Sequence, residues 1–344
     1  RPRTQPSYWE LEPSSATGLP VMKAPWVTYR PEIKVLDATI RDGGLINDHL
    51  FEDGFVKAVY DTCVAAGIDY MEIGYKGDGA LFTKGKFGDW KFCREEDLRR
   101  IVGDSPQVKL AVMADAGGKC NYKRDILPKK DSVIELVRVA CYVHQIPEAI
   151  EMIKDAHDKG YETTCNIMAV STAQDAEIDQ ALELVREAPC ESVIVVDSFG
   201  SMYQEQVHAL CEKYKKALEG TGKEIGIHAH NNQQLAFANT IQSIISGATR
   251  LDCTMGGMGR GAGNCSTELL LGFLRNPKFR LRPVWELVQN WVIPLQKAGM
   301  EWGPLPPHVI GGQLNQHPRA AIAWLAGEDR DRCADFYDRA VADV

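Results

Sequence analysis

His228 and His230 stand one residue apart at the end of the apolar run 224–230. A spacing of two places both imidazoles on the same side of a strand. Far upstream, Asp42 follows Arg41 at the end of another such run, and Asn264 closes the glycine-rich stretch Gly256, Gly257, Gly259, Gly261 and Gly263. If the chain brings them together, two imidazoles, a carboxylate and an amide oxygen form a ligand set for a divalent ion. Positions would stay open for water or substrate, and Mn²⁺ is the first choice, with Mg²⁺ or Zn²⁺ as alternatives. Each piece also has a plainer use: a His-x-His pair can simply hydrogen-bond at a strand end, and Asn264 can cap the helix that begins near Thr267.

Further polar residues suggest what such an ion would work on. Arg41, beside Asp42, could hold a carboxylate or a developing enolate. Arg138 is embedded in Val137-Arg138-Val139-Ala140, so it must point into an enclosed interior and needs an anionic partner. Glu72 or a substrate could supply that charge. The glycine loop leads into a helix and carries Arg260, a combination that could receive an anion. Ser198 ends a further apolar run.

These residues need a scaffold that presents strand ends to one point. Eight short apolar runs are expected as strands, at 33–40, 70–75, 108–113, 134–143, 162–170, 193–198, 224–230 and 251–255. Amphipathic helices are expected between most of them, at 54–66, 96–102, 147–159, 176–187, 204–218 and 235–246, with 267–274 after the last. Strand–helix alternation makes a parallel sheet with right-handed crossovers. Eight units in about 245 residues is the size of a closed (β/α)₈ TIM barrel. A doubly wound open sheet is the alternative, but it would carry G-x-G-x-x-G after its first strand, where this chain has Arg41-Asp42-Gly43-Gly44. In a barrel of eight, the last strand lies between the seventh and the first. Asp42 would then face the histidine pair across a single strand, from which Asn264 emerges. Residues 1–31, with six prolines, read as an extended arm anchored by Trp9 and Trp26. The barrel is assigned to 32–280. Residues 281–344 read as a small helical appendage with helices at 284–297, 318–326 and 331–341, punctuated near 303–307 and 311–312.

Composition excludes several classes. The chain has 344 residues, 44% hydrophobic and 25% charged, with a formal net charge of -8, so a whole-surface attraction to nucleic acid or an anionic membrane is not expected. No window approaches the length of a membrane span, and the amino end lacks the pattern of a secretory signal. Ten scattered cysteines without a C-x-x-C pair suggest free thiols in a reducing cytosol. The arm and tail suggest a homodimer or larger homo-oligomer.

Leu36-Asp37-Ala38-Thr39-Ile40-Arg41-Asp42-Gly43-Gly44, followed by His228-Ala229-His230-Asn231 and Gly261-Ala262-Gly263-Asn264, resembles the DRE-TIM metallolyase superfamily. The likeness falls on its HMG-CoA lyase-like and 4-hydroxy-2-oxovalerate aldolase-like branch and spans roughly 32–275. It implies a barrel, a divalent metal on Asp42, His228 and His230 with Asn264 as a fourth ligand, and Arg41 as enolate stabiliser. It also implies making or breaking a carbon–carbon bond beside a carbonyl. Val196-Asp197-Ser198 and the strand of Arg138 look most like the 2-oxoacid aldolases, with Arg138, Glu72, Ser198 and Arg260 as substrate contacts. The condensing synthases carry Glu-Gln after Arg-Asp-Gly, where this chain has Gly44-Leu45. The aldolase histidine expected at that point is also absent, since Leu45 stands there. Its replacement as acid–base group is sought among Tyr75, His308 and His317, with His49 and Lys76 as further candidates.

The leading expectation is a metal-dependent class II aldolase acting on a 2-oxoacid through its enolate, with an aldehyde as partner. An acyl-CoA-dependent Claisen synthase is the alternative. A non-catalytic barrel that serves as a binding scaffold is the remaining class.

Overall fold

The computed structural model describes residues 30–342, so nearly all of the expected arm, including Trp9 and Trp26, lies outside the described residues. Eight strands form the centre: β1 (Lys34–Asp37), β2 (Tyr70–Tyr75), β3 (Lys109–Asp115), β4 (Ile134–Cys141), β5 (Glu162–Ile167), β6 (Ser192–Asp197), β7 (Glu224–Ala229) and β8 (Arg250–Cys253). Each pairs in parallel with the next, and β8 returns to β1, so the sheet closes as a TIM barrel. Helices on the outside cover residues such as Val137, Val139, Val193 and Val195, all fully buried. Inside, Leu36, Tyr70, Ala111 and Leu136 pack together.

The first strand is shorter than its apolar run. The Asp37 carboxylate accepts hydrogen bonds from the Thr39 backbone N–H (3.1 Å) and the Thr39 hydroxyl (2.8 Å). This local competition with the sheet ladder ends the strand, and Thr39–Gly43 coil into a helical turn instead. The turn carries Arg41 and Asp42 to the mouth of the barrel. The runs at 134–143, 162–170 and 251–255 likewise end as strands two or three residues early, because their last residues enter loops at the mouth.

In β2 the pairing with β3 shifts register between Glu72 and Gly74. Side chains alternate along a strand, so a bulge resets which face the following residues use. Glu72 faces inward opposite Ala111, and Tyr75, three residues later, packs inward with Met113. Gly74 is required there. A Cβ on it would lie 2.0 Å from the Trp90 carbonyl oxygen.

The tail braces the glycine loop. Leu281–Leu287, a π-helical turn Val288–Val292 and Ile293–Lys297 follow one another without a break. Pro294 lacks an N–H and crowds the turn before it, and the wider turn relieves that conflict. Val292 packs so closely on Gly256 that a Cβ there would meet it at 2.6 Å, and Trp302 Nε1 donates to the Gly256 carbonyl (3.1 Å). The helix Pro306–Gln313 was not anticipated, because its prolines and its Gly311-Gly312 pair read as punctuation. Its two prolines sit in the first turn, where a missing N–H does no harm. The last helices are Arg319–Leu325 and Cys333–Ala342.

Candidate metal centre and active-site cavity

Asp42, His228 and His230 converge. Their ligand atoms all lie within 4.8 Å of one another, and all three residues are buried. Each histidine is held by its far nitrogen. His228 Nδ1 is 3.0 Å from Asp252 Oδ2, and His230 Nδ1 is 3.4 Å from the Ser198 carbonyl oxygen. Both acceptors fix the proton on Nδ1 and leave the Nε2 lone pairs free. His228 Nε2 lies 3.3 Å and His230 Nε2 3.7 Å from Asp42 Oδ2, yet both are buried without a hydrogen-bond partner. Asn264 joins from the glycine loop, bridged to His230. Its Nδ2 donates to the Met258 carbonyl (3.1 Å), and its Oδ1 is buried and unpartnered. Three lone-pair donors are thus desolvated beside a carboxylate, an arrangement that is expensive unless a cation shares them. The donor set of imidazole, carboxylate and amide oxygen suits Mn²⁺, Mg²⁺ or Zn²⁺.

The electrostatics agree. Burial would raise the Asp42 carboxyl, but Arg41 and the two imidazoles hold it well below the ordinary range. Burial, with the Arg260 and Arg41 charges nearby, pushes His230 down to about 3, so its imidazole is neutral at physiological pH. His228 moves the other way. Burial lowers it, but the Asp252 and Asp42 carboxylates more than offset that.

Beneath the triad lies a buried ionic layer. Arg41 donates to Asp42 (2.5 Å) and to Glu72 (2.7 Å). Arg138 donates to the same Glu72 oxygen (3.0 Å) and to Asp252 (2.5 Å). Asp252 was not anticipated. It stands in β8 between Leu251 and Cys253, and the logic applied to Arg138, a charge inside an apolar strand, would have found it.

Above the triad opens a cavity of about 380 Å³. Of the sequence candidates, Arg41, Asp42, Tyr75, Ser198, His228, His230, Arg260 and His317 line it. Leu45 lines it too, at the position where an aldolase histidine was sought. Glu72 and Arg138 do not reach it. They were expected as substrate contacts, and their charges are instead spent on each other, Arg41 and Asp252. His308 is also displaced from the expected role. It sits behind the glycine loop, 3.4 Å from where a Gly261 Cβ would be, and its carbonyl accepts from Asn232 Nδ2 (3.0 Å). His49 packs edge-on to Tyr75 (5.3 Å) but stays off the cavity wall. Lys76 turns away to the Cys93 carbonyl (2.7 Å). Residues that sequence reasoning passed over also face the cavity: Lys91, Asp115, Lys119, Tyr142, Asn166 and Arg319.

The HMGL-like family model matches residues 138–284. A 4-hydroxy-2-oxovalerate aldolase of Pelotomaculum thermopropionicum is 31% identical over 252 residues, which is 73% of this chain and 72% of the relative. The chain belongs to this family of DRE-TIM metallolyases. A 4-hydroxy-2-oxovalerate aldolase of Bacillus cereus is 28% identical across 82% of this chain and 80% of its own length. Among solved structures, the N-terminal domain of a candidate aldolase from Bacteroides vulgatus superposes with a TM-score of 0.72 at 25% identity. The match covers 86% of this chain and 97% of that one. Hydroxymethylglutaryl-CoA lyase from Pseudomonas aeruginosa shares the fold, with a TM-score of 0.63 at 14% identity over 80% of this chain and 96% of that one. As a member of the family, the chain is a divalent-metal-dependent carbon–carbon lyase of the aldolase class.

Proposed function

We propose that this lyase makes and breaks the bond between C3 of pyruvate and the carbonyl carbon of an aldehyde, with Mn²⁺ held by Asp42, His228, His230 and Asn264. The observation that carries this reading is the set of buried, unpartnered donors, His228 Nε2, His230 Nε2 and Asn264 Oδ1, gathered beside Asp42. A divalent ion bound there supplies the Lewis acidity that makes a 2-oxoacid enolate accessible near neutral pH.

The chain's own residues do the rest. Arg41 is locked in place by Glu72 and Asp42, so its remaining donors are preorganised for the charge that develops on the enolate oxygen. Arg260 places its backbone N–H on Asp42 Oδ1 (3.1 Å), and its guanidinium is on hand for the oxoacid carboxylate. Burial pushes the Tyr75 phenol well up, despite the Arg41 charge; it therefore stays protonated and acts as a hydrogen-bond donor. His317 is pushed down to about 4 by burial and by the Arg260, Arg319 and Lys119 charges. It is neutral at pH 7, and its Nδ1 accepts from the Arg319 backbone N–H (3.1 Å), which leaves the proton on Nε2. In the condensing direction the Tyr75 O–H and the His317 Nε2–H are the groups assigned to give a proton to the aldol oxygen. Their positions on the wall compensate for Leu45, which has no proton to give.

Exchange of solvent deuterium into pyruvate C3, with and without Mn²⁺ and in the absence of coenzyme A, tests the reading. Metal-dependent exchange is expected. Exchange that persists at full rate in Asp42→Ala would sink it, and release of free coenzyme A from an acyl-CoA and a 2-oxoacid would favour the condensing synthase instead. The reading carries a reducing, cytosolic setting, which the free state of all ten cysteines supports. Among the described residues no helix is long and apolar enough to cross a membrane. It also carries a homo-oligomer, supported by Trp285 and Ile293 lying exposed on the tail. Light scattering should give a mass of at least two chains.

A further inference from the structure

The cavity holds more positive charge than one 2-oxoacid can satisfy. Five cationic side chains line it, Arg41, Lys91, Lys119, Arg260 and Arg319, against two carboxylates, Asp42 and Asp115. Arg41 is committed to Asp42 and Glu72, and Lys119 lies 3.8 Å from Asp115. Among the described residues, the charged ends of Lys91, Arg260 and Arg319 have no ion pair. The carboxylate of a 2-oxoacid answers one of them, and Arg260, beside the metal ligands, is placed to take it. Two remain.

Lys91 is the telling one. It is only 7% exposed, and no hydrogen bond or carboxylate within 4 Å receives its ammonium among the described residues. The ammonium is clamped between two rings, 4.2 Å from the centre of Tyr75 and 4.1 Å from that of Phe82. Cation–π contacts hold a desolvated ammonium in place without neutralising it. Burial, with Lys119 and Arg41 nearby, lowers its proton affinity although Asp115 opposes them, as expected of a site that wants an anion. The Lys119, Arg319 and Arg260 charges all bear on His317, which ties the two sides of the mouth into one field. The volume, about 380 Å³, is well beyond what a three-carbon oxoacid fills.

We propose that the aldehyde substrate carries its own anionic group, a carboxylate or a phosphate, and that Lys91 and Arg319 on the cavity wall receive it. This rests on the aldolase reading and adds the class of the second substrate. Lys91 and Arg319 are specificity determinants here; the enolate chemistry stays with Arg41 and the metal ligands.

The test uses the full chain with Mn²⁺ and pyruvate. Condensation with succinic semialdehyde is compared with butanal, and condensation with glyceraldehyde 3-phosphate with glyceraldehyde. A site built around a charge should favour the anionic member of at least one pair by about a hundredfold in kcat/KM. The pair with the larger ratio tells carboxylate from phosphate. Lys91→Met and Arg319→Gln should each shrink that ratio about tenfold or more, while Lys91→Arg keeps most of it. A merely structural lysine would lower both members of a pair together. Arg319 is exposed, so its variant decides the matter if Lys91→Met does not fold. Ratios near one in wild-type protein that still exchanges pyruvate would overturn the inference and leave the aldolase reading standing, as would ratios that neither variant changes. Absence of metal-dependent exchange in the wild type would remove the aldolase reading, and this inference with it.

Discussion

At the scale of single residues, His228 is held by groups that lie off the cavity wall. Asp252 holds the Nδ1 proton of His228 and is itself held by Arg138. A carboxylate in that place fixes the ligand's tautomer and raises its basicity. Asp252→Asn should therefore weaken Mn²⁺ binding about 10–100-fold, read by calorimetric titration; unchanged affinity would reduce Asp252 to a partner of Arg138 alone. Tyr75 makes a different kind of prediction. Tyr75→Phe removes a donor from the wall and should lower kcat by about 10²–10⁴-fold, with little change in metal affinity, because no ligand atom rests on the phenol. Why Tyr75 was harder to place than His228 is a matter of parity. His228 and His230 lie in β7, where alternation is unbroken, so spacing alone puts both on one face. Tyr75 owes its inward direction to the bulge at Gly74; a lone glycine in Tyr-Met-Glu-Ile-Gly-Tyr is the one hint of it, and a glycine in a strand can equally mark a close backbone approach. Arg138 and Glu72 mislead in another way. A charge inside an apolar strand does reveal an inward side chain, but it does not say whether the partner is a ligand or another strand.

At the scale of elements, regular units were legible and their junctions were not. The helix Thr267–Leu274 and the strand β2 have the limits expected from their apolar patterns, since both are bounded by residues that cannot continue the pattern. The start of the turn Thr39–Gly43 was hidden, because the β-branched Thr39 and Ile40 suit a strand equally well and the stop signal is one carboxylate, Asp37, two positions before. That carboxyl is fully buried, and burial lifts it to about 7 despite its bonds to Thr39 and Thr267. A carboxyl that holds its proton more tightly folded than unfolded favours folding while protonated, so this contribution fades as pH rises from about 4 through 7. Asp37→Asn should flatten that part of the stability curve, with a gain at pH 8 visible in denaturant titrations. The glycine loop gives a sharper geometric expectation. A Cβ at position 259 would lie 2.0 Å from Asn264 Nδ2 and 2.7 Å from Asp42 Oδ1. Gly259→Ala should force those side chains apart and abolish metal-dependent exchange while the barrel still melts cooperatively. Exchange at the wild-type rate would mean that the loop yields freely, despite its bracing by Val292 and Trp302.

At the scale of the whole molecule, the barrel is polar at both ends, and the two ends do different work. At the floor, Arg250 spans Glu162 (2.9 Å) and Glu224 (2.6 Å), and Tyr70 and Lys109 also reach Glu162. Those charges close on one another, so the floor is satisfied by the protein alone. At the mouth they do not close. His228, His230 and Asn264 present buried acceptors with no partner in the chain, and folding carries that penalty until something binds. A ligand that binds the folded chain and not the unfolded one stabilises it by about 2.7 kcal/mol when present at a hundred times its dissociation constant. Mn²⁺ at that level should therefore raise the melting temperature by several degrees, on the order of 2–4 °C per kcal/mol for a domain of this class, and excess chelator should reverse the shift. Asp42→Ala and His230→Ala should lose the shift, whereas Arg250→Met should lower the starting temperature and keep it. A Mn²⁺ shift of full size in both ligand variants would place the ion elsewhere on the protein, and the converging imidazoles would then need some other cation to explain their burial.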